Sequence, residues 1–308
     1  MNALVGYTGF VGSNLYKNGV FDFVYNSKNI AEAFGTAPEL LIYAGIKAEK
    51  YLANNNPEED LKQIETAKEN ITKINPKKLV LISTIDVFKV PSEVDENSIV
   101  DTTDLHVYGY NRFILECWVR EAYPDALIIR LPALYGINLK KNFIYDFINF
   151  IPTMLKEEKY FELVNKESEL SEYYIKQDNG FYKVKVSPDK KNYLKNIFRK
   201  IGFSALNFTD SRSKYQFYNL DNLWTDIQTA LNIGLKLFHP ATAPISITEL
   251  YYYLTGNSFI NELTGSPANY NYRTIYYNFF GGKNGYIADK MYVLEDIRRF
   301  ISKCNSLA

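Results

Sequence analysis

The sequence predicts an α/β fold, a doubly wound parallel sheet with a smaller, mostly C-terminal lobe, and three observations carry that prediction. A short apolar run from the N-terminus enters three glycines spaced three apart, in Gly6-Tyr7-Thr8-Gly9-Phe10-Val11-Gly12, and an apolar-periodic stretch follows. Strand-like and helix-like segments then alternate through residue 136, the pattern of helices packed on both faces of a parallel sheet. After Gly136 the alternation stops, and residues 137–217 become rich in Lys, Tyr and Asn.

Each element has its own signal. The apolar run that begins at residue 2 or 3 and enters the glycines reads as the first strand and the apolar-periodic stretch that follows them as the first helix, with Phe21-Asp22-Phe23-Val24-Tyr25 as a β-rich run ending at Asn26-Ser27-Lys28-Asn29. Glu39-Leu40-Leu41-Ile42-Tyr43-Ala44 reads as a buried strand stopping at Gly45. Pro57 at a first turn, followed by Glu58, Glu59 and Asp60 on the positive end of the dipole, opens an amphipathic helix to about residue 74. Residues 78–83 form the clearest buried strand, 111–121 a helix and 126–130 the next strand. Beyond the change in character, residues 173–186 look like a hairpin around Asp178-Asn179-Gly180, where Asn-Gly supplies a tight turn. Residues 189–200 look like a helix ended by Gly202, and 235–238 like one more strand. Ser246-Ile247-Thr248-Glu249 opens a helix with a capping box, and residues 291–303 close the chain as a helix. The expected division is a sheet domain over residues 1–150, with 218–242 returning to it, and a lobe built from 151–217 and 243–308.

Composition narrows the function classes. Hydrophobic residues make up 46% of the 308, enough for a packed core. Lys+Arg and Asp+Glu are equal at 35 each, which gives no electrostatic reason to expect nucleic acid or an anionic membrane as partner. Two cysteines, Cys117 and Cys304, and two histidines, His106 and His239, lie too far apart for metal-type spacing, so no metal is expected. No run approaches membrane-spanning length and the N-terminus lacks a signal-peptide pattern, so the expectation is a cytoplasmic protein. The 26 tyrosines and 20 phenylalanines read as aromatic packing before they read as ligand stacking.

The glycine turn carries the first chemical inference. Gly6 permits the turn, Gly9 admits a ligand where a Cβ would intrude, and Gly12 lets the helix sit close to the strand. The first turn of such a helix offers unpaired N–H groups and the positive end of its dipole, a site for a pyrophosphate. Two further stretches add reacting groups. Ser83-Thr84-Ile85-Asp86-Val87-Phe88 lies at the carboxyl end of a strand, where open α/β sheets place ligands. Tyr108 and Arg112, four apart on the next helix, share a face, with Glu116 one turn further. A cation there favours phenolate over phenol. A free tyrosine titrates near pH ~10, so bringing it to 7 takes roughly 4 kcal/mol of differential stabilisation.

On these residues the chain resembles the extended short-chain dehydrogenases/reductases, the family of nucleotide-sugar epimerases, dehydratases and ketoreductases with a Rossmann-like sheet. The GxxGxxG turn matches Gly6, Gly9 and Gly12; the Ser/Thr-x-x-Val-Tyr element matches Thr84 to Phe88; and the Tyr-x-x-x-Lys helix followed by Glu matches Tyr108, Arg112 and Glu116. The Arg-x-x-x-x-Tyr-Gly strand end matches Arg130 through Gly136, and residues 217–223 resemble Phe-x-His-Val-Asp-Asp-Val. The resemblance covers residues 1–136 well, 215–255 loosely and the intervening segment hardly at all. It implies Thr84, Tyr108 and Arg112 as catalytic residues. It implies cofactor contacts from Gly6, Thr8, Gly9, Phe10, Val11 and Gly12 in the turn, and from Asn26, Ser27 and Lys28 after the second strand. Ala44, Gly45 and Lys47 after the third strand, Tyr108 and Arg112 on the helix, and Pro132 complete the set.

Departures from the pattern sharpen the expectation. Arg112 replaces a lysine that grips the nicotinamide ribose and lowers the tyrosine's pKa, and a longer, planar cation is not a neutral exchange. Ile85-Asp86 stands where dehydratases carry Asp-Glu, which argues against elimination chemistry. Tyr215-Gln216 replaces the Arg-Asp that contacts the nucleotide. Asn26-Ser27-Lys28 offers donors and a positive charge where an NAD-selective site carries an acid, so the expectation is NADP ahead of NAD, or indifference between the two. Tyr110 is a rival to Tyr108 but has Ile114, not a cation, four residues on. His106 reads as an exposed loop residue. Lys47 reads either as a cofactor contact or as a solvated lysine, and Lys140-Lys141 either as a diphosphate contact or as plain surface. The expected activity is hydride transfer on a nucleotide sugar, as epimerase or ketoreductase, in a possible homodimer. The alternative is a dinucleotide-binding protein without turnover that senses redox state or assembles partners.

Overall fold

The computed structural model describes residues 1–306. β1 (Asn2–Val5) leads through the glycine turn into α1 (Phe10–Asn18), then β2 (Phe23–Tyr25) and β3 (Leu40–Tyr43). Helices α2 (Lys50–Asn55) and α3 (Pro57–Ile74) connect to β4 (Leu79–Thr84), and α4 (Val107–Ala122) to β5 (Leu127–Leu131). The chain continues through β6 (Ala133–Tyr135), α5 (Phe143–Asn149), β7 (Met154–Leu155), α6 (Glu157–Lys166), β8 (Tyr174–Lys176), β9 (Tyr182–Val184) and α7 (Lys191–Lys200). Next come β10 (Lys214–Tyr215), β11 (Phe217–Asn219), α8 (Leu223–Asn232), β12 (Leu237–Phe238), β13 (Ile245–Ser246), α9 (Ile247–Thr255) and α10 (Lys290–Ser306).

Six strands form one parallel sheet in the order β2-β1-β3-β4-β5-β12, so the α/β fold and the returning strand near residue 237 are both present. The runs Leu40–Tyr43 and Leu127–Leu131 are buried throughout, because a parallel sheet covered on both faces selects continuous apolar strands over alternating ones. Ile64, Ala67 and Ile71 of α3 and Leu115 and Val119 of α4 pack on one face. Leu15 of α1 and Leu223, Ile227 and Ala230 of α8 pack on the other. Register fixes the row of strand ends: Val5 stands beside Tyr25 and Tyr43, so Gly6, Asn26 and Ala44 emerge together. The crossover from β2 to β3 is short, with a single 3-10 turn, Ile30–Ala33, between them.

The lobe has two cores. Tyr135, Phe143, Ile144 and Phe217 pack with Ile245, Leu250, Val293 and Ile297, so β6 and α5 share a core with the C-terminal helices. Residues 151–198 supply a second core, Leu163, Tyr174, Tyr182, Leu194 and Phe198 among them, around the three-stranded sheet β7-β9-β8. The hairpin at Asp178-Asn179-Gly180 is β8–β9, with Gly180 at φ +80°, and the capping box at Ser246 and Glu249 is formed in both directions. One expectation shifts, and one helix goes unsignalled. The helix expected from residue 111 starts four residues earlier, because His106 acts as its N-cap; and α2, which lacks a capping side chain, carries no clear sequence signal.

Candidate active site

Each glycine of the turn stands where a side chain has a consequence. Gly6 takes φ +92°, and a Cβ there would run into the Ala44 backbone. A Cβ on Gly12 would collide with the Gly6 carbonyl, so the helix sits hard against the turn. A Cβ on Gly9 would meet only the Gly6 oxygen, at 3.3 Å, and otherwise open space. Gly9 is also the N-cap of α1 and brings no capping side chain, so the helix's first N–H groups face outward unclaimed by a cap. That is a cradle a dinucleotide pyrophosphate fits. Asn14 ties α1 to the opposite wall, accepting from the Ile137 N–H at 3.0 Å and donating to its carbonyl at 2.9 Å. Replacing Gly9 with Val should abolish nicotinamide-cofactor binding and leave unfolding little changed; unaltered affinity in a fluorescence titration would overturn the cradle.

At the end of β2, Asn26 and Asn29 shape the loop: the Asn29 side chain accepts from the Asn26 N–H at 2.8 Å, and the Asn26 side chain accepts from the Lys28 N–H at 2.8 Å. Ser27 and Lys28 point to solvent beside it. Thr8 is exposed in the turn, and Phe10 and Val11 are half-buried, as is Pro132 after β5. Ala44 is half-buried and Gly45 exposed at the end of β3. Lys47 has an exposed side chain, and the structure uses its backbone, whose carbonyl accepts from Arg112 Nη2 at 2.8 Å. Of the Lys140-Lys141 pair, Lys141 donates its ammonium to the Ala48 carbonyl and so bridges the lobe to the segment after β3.

Thr84 closes β4 and Tyr108 lies in the first turn of α4. Thr84 Oγ1 accepts from the Asp86 N–H at 3.2 Å and stands close enough to Tyr108 to act on its acidity. Tyr108 is only 7% exposed, whereas its rival Tyr110 is 43% exposed on the outer face. Asn54 of α2 accepts from the Tyr108 N–H at 3.0 Å, and His106 Nδ1 accepts from the Gly109 N–H at 3.0 Å. His106 is therefore a half-buried helix cap and not the exposed loop residue expected from sequence.

Arg112 has a partner the sequence does not reveal. Its Nη1 pairs with Asp60 Oδ2, which also accepts from Asn111 Nδ2 at 2.9 Å, and both side chains of the ion pair are about 95% buried, at 5% and 4% exposed. The guanidinium also lies 4.0 Å from the Tyr108 ring centre, a cation–π contact. Burial pushes the Tyr108 phenol up to about 12, and the nearby Arg112 charge only partly offsets it, with Asp86 adding to the rise. The expected descent toward neutrality is absent from the protein alone: desolvation of a buried phenolate outweighs a cation that also faces a carboxylate.

In front of Thr84 and Tyr108, Asp86 accepts from the Tyr270 hydroxyl at 2.7 Å and pairs with Lys50 at 3.1 Å. Tyr270 stacks on Tyr215, their ring centres 5.6 Å apart. Gln216, beside it, is buried, and its amide accepts from the Tyr272 N–H at 2.9 Å and donates to the Tyr272 carbonyl at 2.8 Å. The segment around residue 270 is thereby held over the site. Behind it, Glu116 accepts from Ser83 Oγ at 2.6 Å and from Arg130 Nη2 at 2.7 Å, a buried brace between β4, β5 and α4.

No family model matches the chain, and no curated protein sequence does. Solved structures do match it. A dTDP-4-dehydrorhamnose reductase of Bacillus anthracis in complex with NADP is 15% identical, with a TM-score of 0.61, over 98% of this chain and 97% of that one. A UDP-N-acetylglucosamine 4-epimerase of Methanobrevibacter ruminantium is 10% identical, with a TM-score of 0.60, over 100% of this chain and 98% of that one. A UDP-glucuronic acid 4-epimerase of Bacillus cereus, solved with NAD, is 13% identical, with a TM-score of 0.60, over 100% of both chains. Across its full length the chain has the fold of these nucleotide-sugar reductases and epimerases, that of the extended short-chain dehydrogenases/reductases.

Proposed function

We propose that the protein is an NAD(P)-dependent oxidoreductase that acts on a nucleotide sugar, as a ketoreductase or epimerase. The observation that carries this reading is the convergence, at the carboxyl edge of one parallel sheet, of an open glycine cradle with the neighbouring hydroxyl-bearing side chains of Thr84 and Tyr108. Neighbours of the same fold hold NADP or NAD, and act on dTDP- or UDP-linked sugars. The bound cofactor would supply or accept a hydride. The protein's part is the proton: Tyr108 donates it to a substrate carbonyl oxygen in reduction, or removes it from a hydroxyl in oxidation. Thr84 orients the same oxygen. Gly6, Gly9 and Gly12 with the α1 N-terminus hold the pyrophosphate, and the Arg112 N–H groups not spent on Asp60 and the Tyr108 and Lys47 carbonyls are left for ribose.

A second reading is a dinucleotide-binding protein without turnover, and the capture of Arg112 by Asp60 is the observation that favours it. Mixing NADPH with dTDP- and UDP-linked 4-keto sugars separates the two: loss of nicotinamide absorbance supports the enzyme, and cofactor binding without oxidation across the panel supports the binder. The cofactor preference is testable apart from turnover. Ser27 and Lys28 are exposed at the end of β2, and residues 26–29 of that loop carry no acid, so NADP should bind more tightly than NAD. Lys28→Glu should reverse the order; a wild-type affinity for NAD tenfold above that for NADP would refute the preference.

A further inference from the structure

A cavity of about 540 Å³ lies at the β12 edge of the sheet, away from the glycine cradle. It is walled by α4, the segment after β4 and the start of β12. Of its α4 residues, Arg120 is twelve positions along the helix from Tyr108, roughly 18 Å, and Phe113 five positions, roughly 8 Å. This volume is within the range of small-ligand sites.

The carboxylates around its walls are heavily engaged. One carboxylate, Glu116, is shared by two guanidinium groups: Arg130 Nε and Nη2 reach it at 3.1 and 2.7 Å, and Arg120 Nη2 at 3.1 Å. The Ser83 hydroxyl also donates to that carboxylate at 2.6 Å, so its acceptor capacity is heavily used. Among the described residues, the hydrogen-bond partner of Arg130 Nη1 is the His239 ring nitrogen Nε2, at 3.4 Å, and the guanidinium lies 5.0 Å from the Phe88 ring centre. Burial and then the Arg130 charge hold the His239 imidazole down at about 3, so it is neutral and contributes no second cation or counter-charge. The other acid on the wall, Glu96, is occupied by three donors, the His239 and Ile275 N–H groups at 2.8 and 2.9 Å and the Thr274 hydroxyl at 2.7 Å. Burial raises its pKa and so disfavours its charge. Lys236 is answered from outside by Asp125, at 3.2 Å. Apart from Ser98 and Tyr123 the rest of the wall is apolar, with Val100, Phe113 and Leu237 inside and Ile99 92% exposed at the lip.

We propose that this cavity binds a small amphipathic organic anion, its carboxylate, sulfonate or phosphate drawn by Arg120 and Arg130 and its apolar body laid against Phe113 and Ile99. Arg130 also braces β4 behind the hydride-transfer site through Glu116, whereas Arg120 and Ile99 lie outside it, and the charge and the apolar wall together describe a ligand with one charged end. The test titrates the full-length protein with 8-anilinonaphthalene-1-sulfonate in the presence of saturating NADP. Expected is one saturable site whose affinity falls about tenfold in Arg120→Gln and in Ile99→Glu, and which octanoate displaces at concentrations where inorganic sulfate does not. Both variants sit at the exposed lip, and Arg120→Gln leaves Glu116 with Arg130, so circular dichroism should show each one folded. Binding unchanged in both folded variants, no saturable binding, or displacement by sulfate as effective as by octanoate each overturns the proposal.

Discussion

Replacing Arg112 with methionine should lower the free energy of unfolding by about 3–5 kcal/mol, because the change strands the Asp60 carboxylate inside the protein. Asn111 alone would remain to satisfy that oxygen, at 2.9 Å, and the Lys47 carbonyl would lose its donor. The compensating double variant Arg112→Met/Asp60→Leu removes both charges and should recover most of the loss, since a buried ion pair replaced by apolar side chains often costs little. Arg112→Lys keeps the charge but cannot reach the Asp60 carboxylate and the Lys47 carbonyl with a planar fork, so it should fall between wild type and Arg112→Met. Urea denaturation of the four proteins reads the series. A midpoint for Arg112→Met equal to wild type would show that the pair contributes nothing, and that Asp60 finds water in its place.

Tyr108→Phe should reduce turnover at least about 100-fold on an identified substrate, the usual contribution of a positioned proton-transfer group. The pH profile carries the sharper statement. With the phenol pushed up to about 12, Tyr108 is protonated across the neutral range. Reduction needs the acid form, so its rate should stay flat from pH 6 to pH 9 on the order of that pKa. Oxidation needs phenolate, so its rate should climb about tenfold per pH unit over the same span and level off only near the pKa. A tyrosine brought to neutrality by its cation would instead give a break near 7 in both directions. A break near 7 would therefore show that cofactor or substrate binding reverses the effect of burial. Unchanged turnover in Tyr108→Phe would remove Tyr108 from the chemistry altogether.

The order of elements and the glycine turn were legible in the sequence because they rest on local rules: continuous apolar runs for buried parallel strands, Pro57 and its acids for a helix start, Asn179-Gly180 for a hairpin. The start of α4 was hidden because histidine is not among the usual capping residues, although His106 Nδ1 performs that role. Asp60 reads as one more acid in a helix's first turn, alongside Glu58 and Glu59. Only the packing of α3 against α4 turns it inward to Arg112. The same limit applies to Tyr270, which is 184 residues from the Asp86 it bonds. No periodicity relates two such positions; the sheet and the Gln216 clip bring them together. The second core of the lobe has a similar origin, since its members are ordinary apolar residues in a lysine-rich stretch and acquire meaning through mutual burial.

The sheet's two outermost strands limit how copies of the chain can associate. β2, at one edge, has three residues, and β12, at the other, has two. Each leaves a ladder too short to template an added strand, a common way for β-structures to avoid runaway edge pairing. A homodimer of this chain is therefore directed away from a continuous intersubunit sheet and toward contacts between helices or loops. Its assembly would be governed by side-chain complementarity on those faces rather than by the generic hydrogen bonding of exposed backbone.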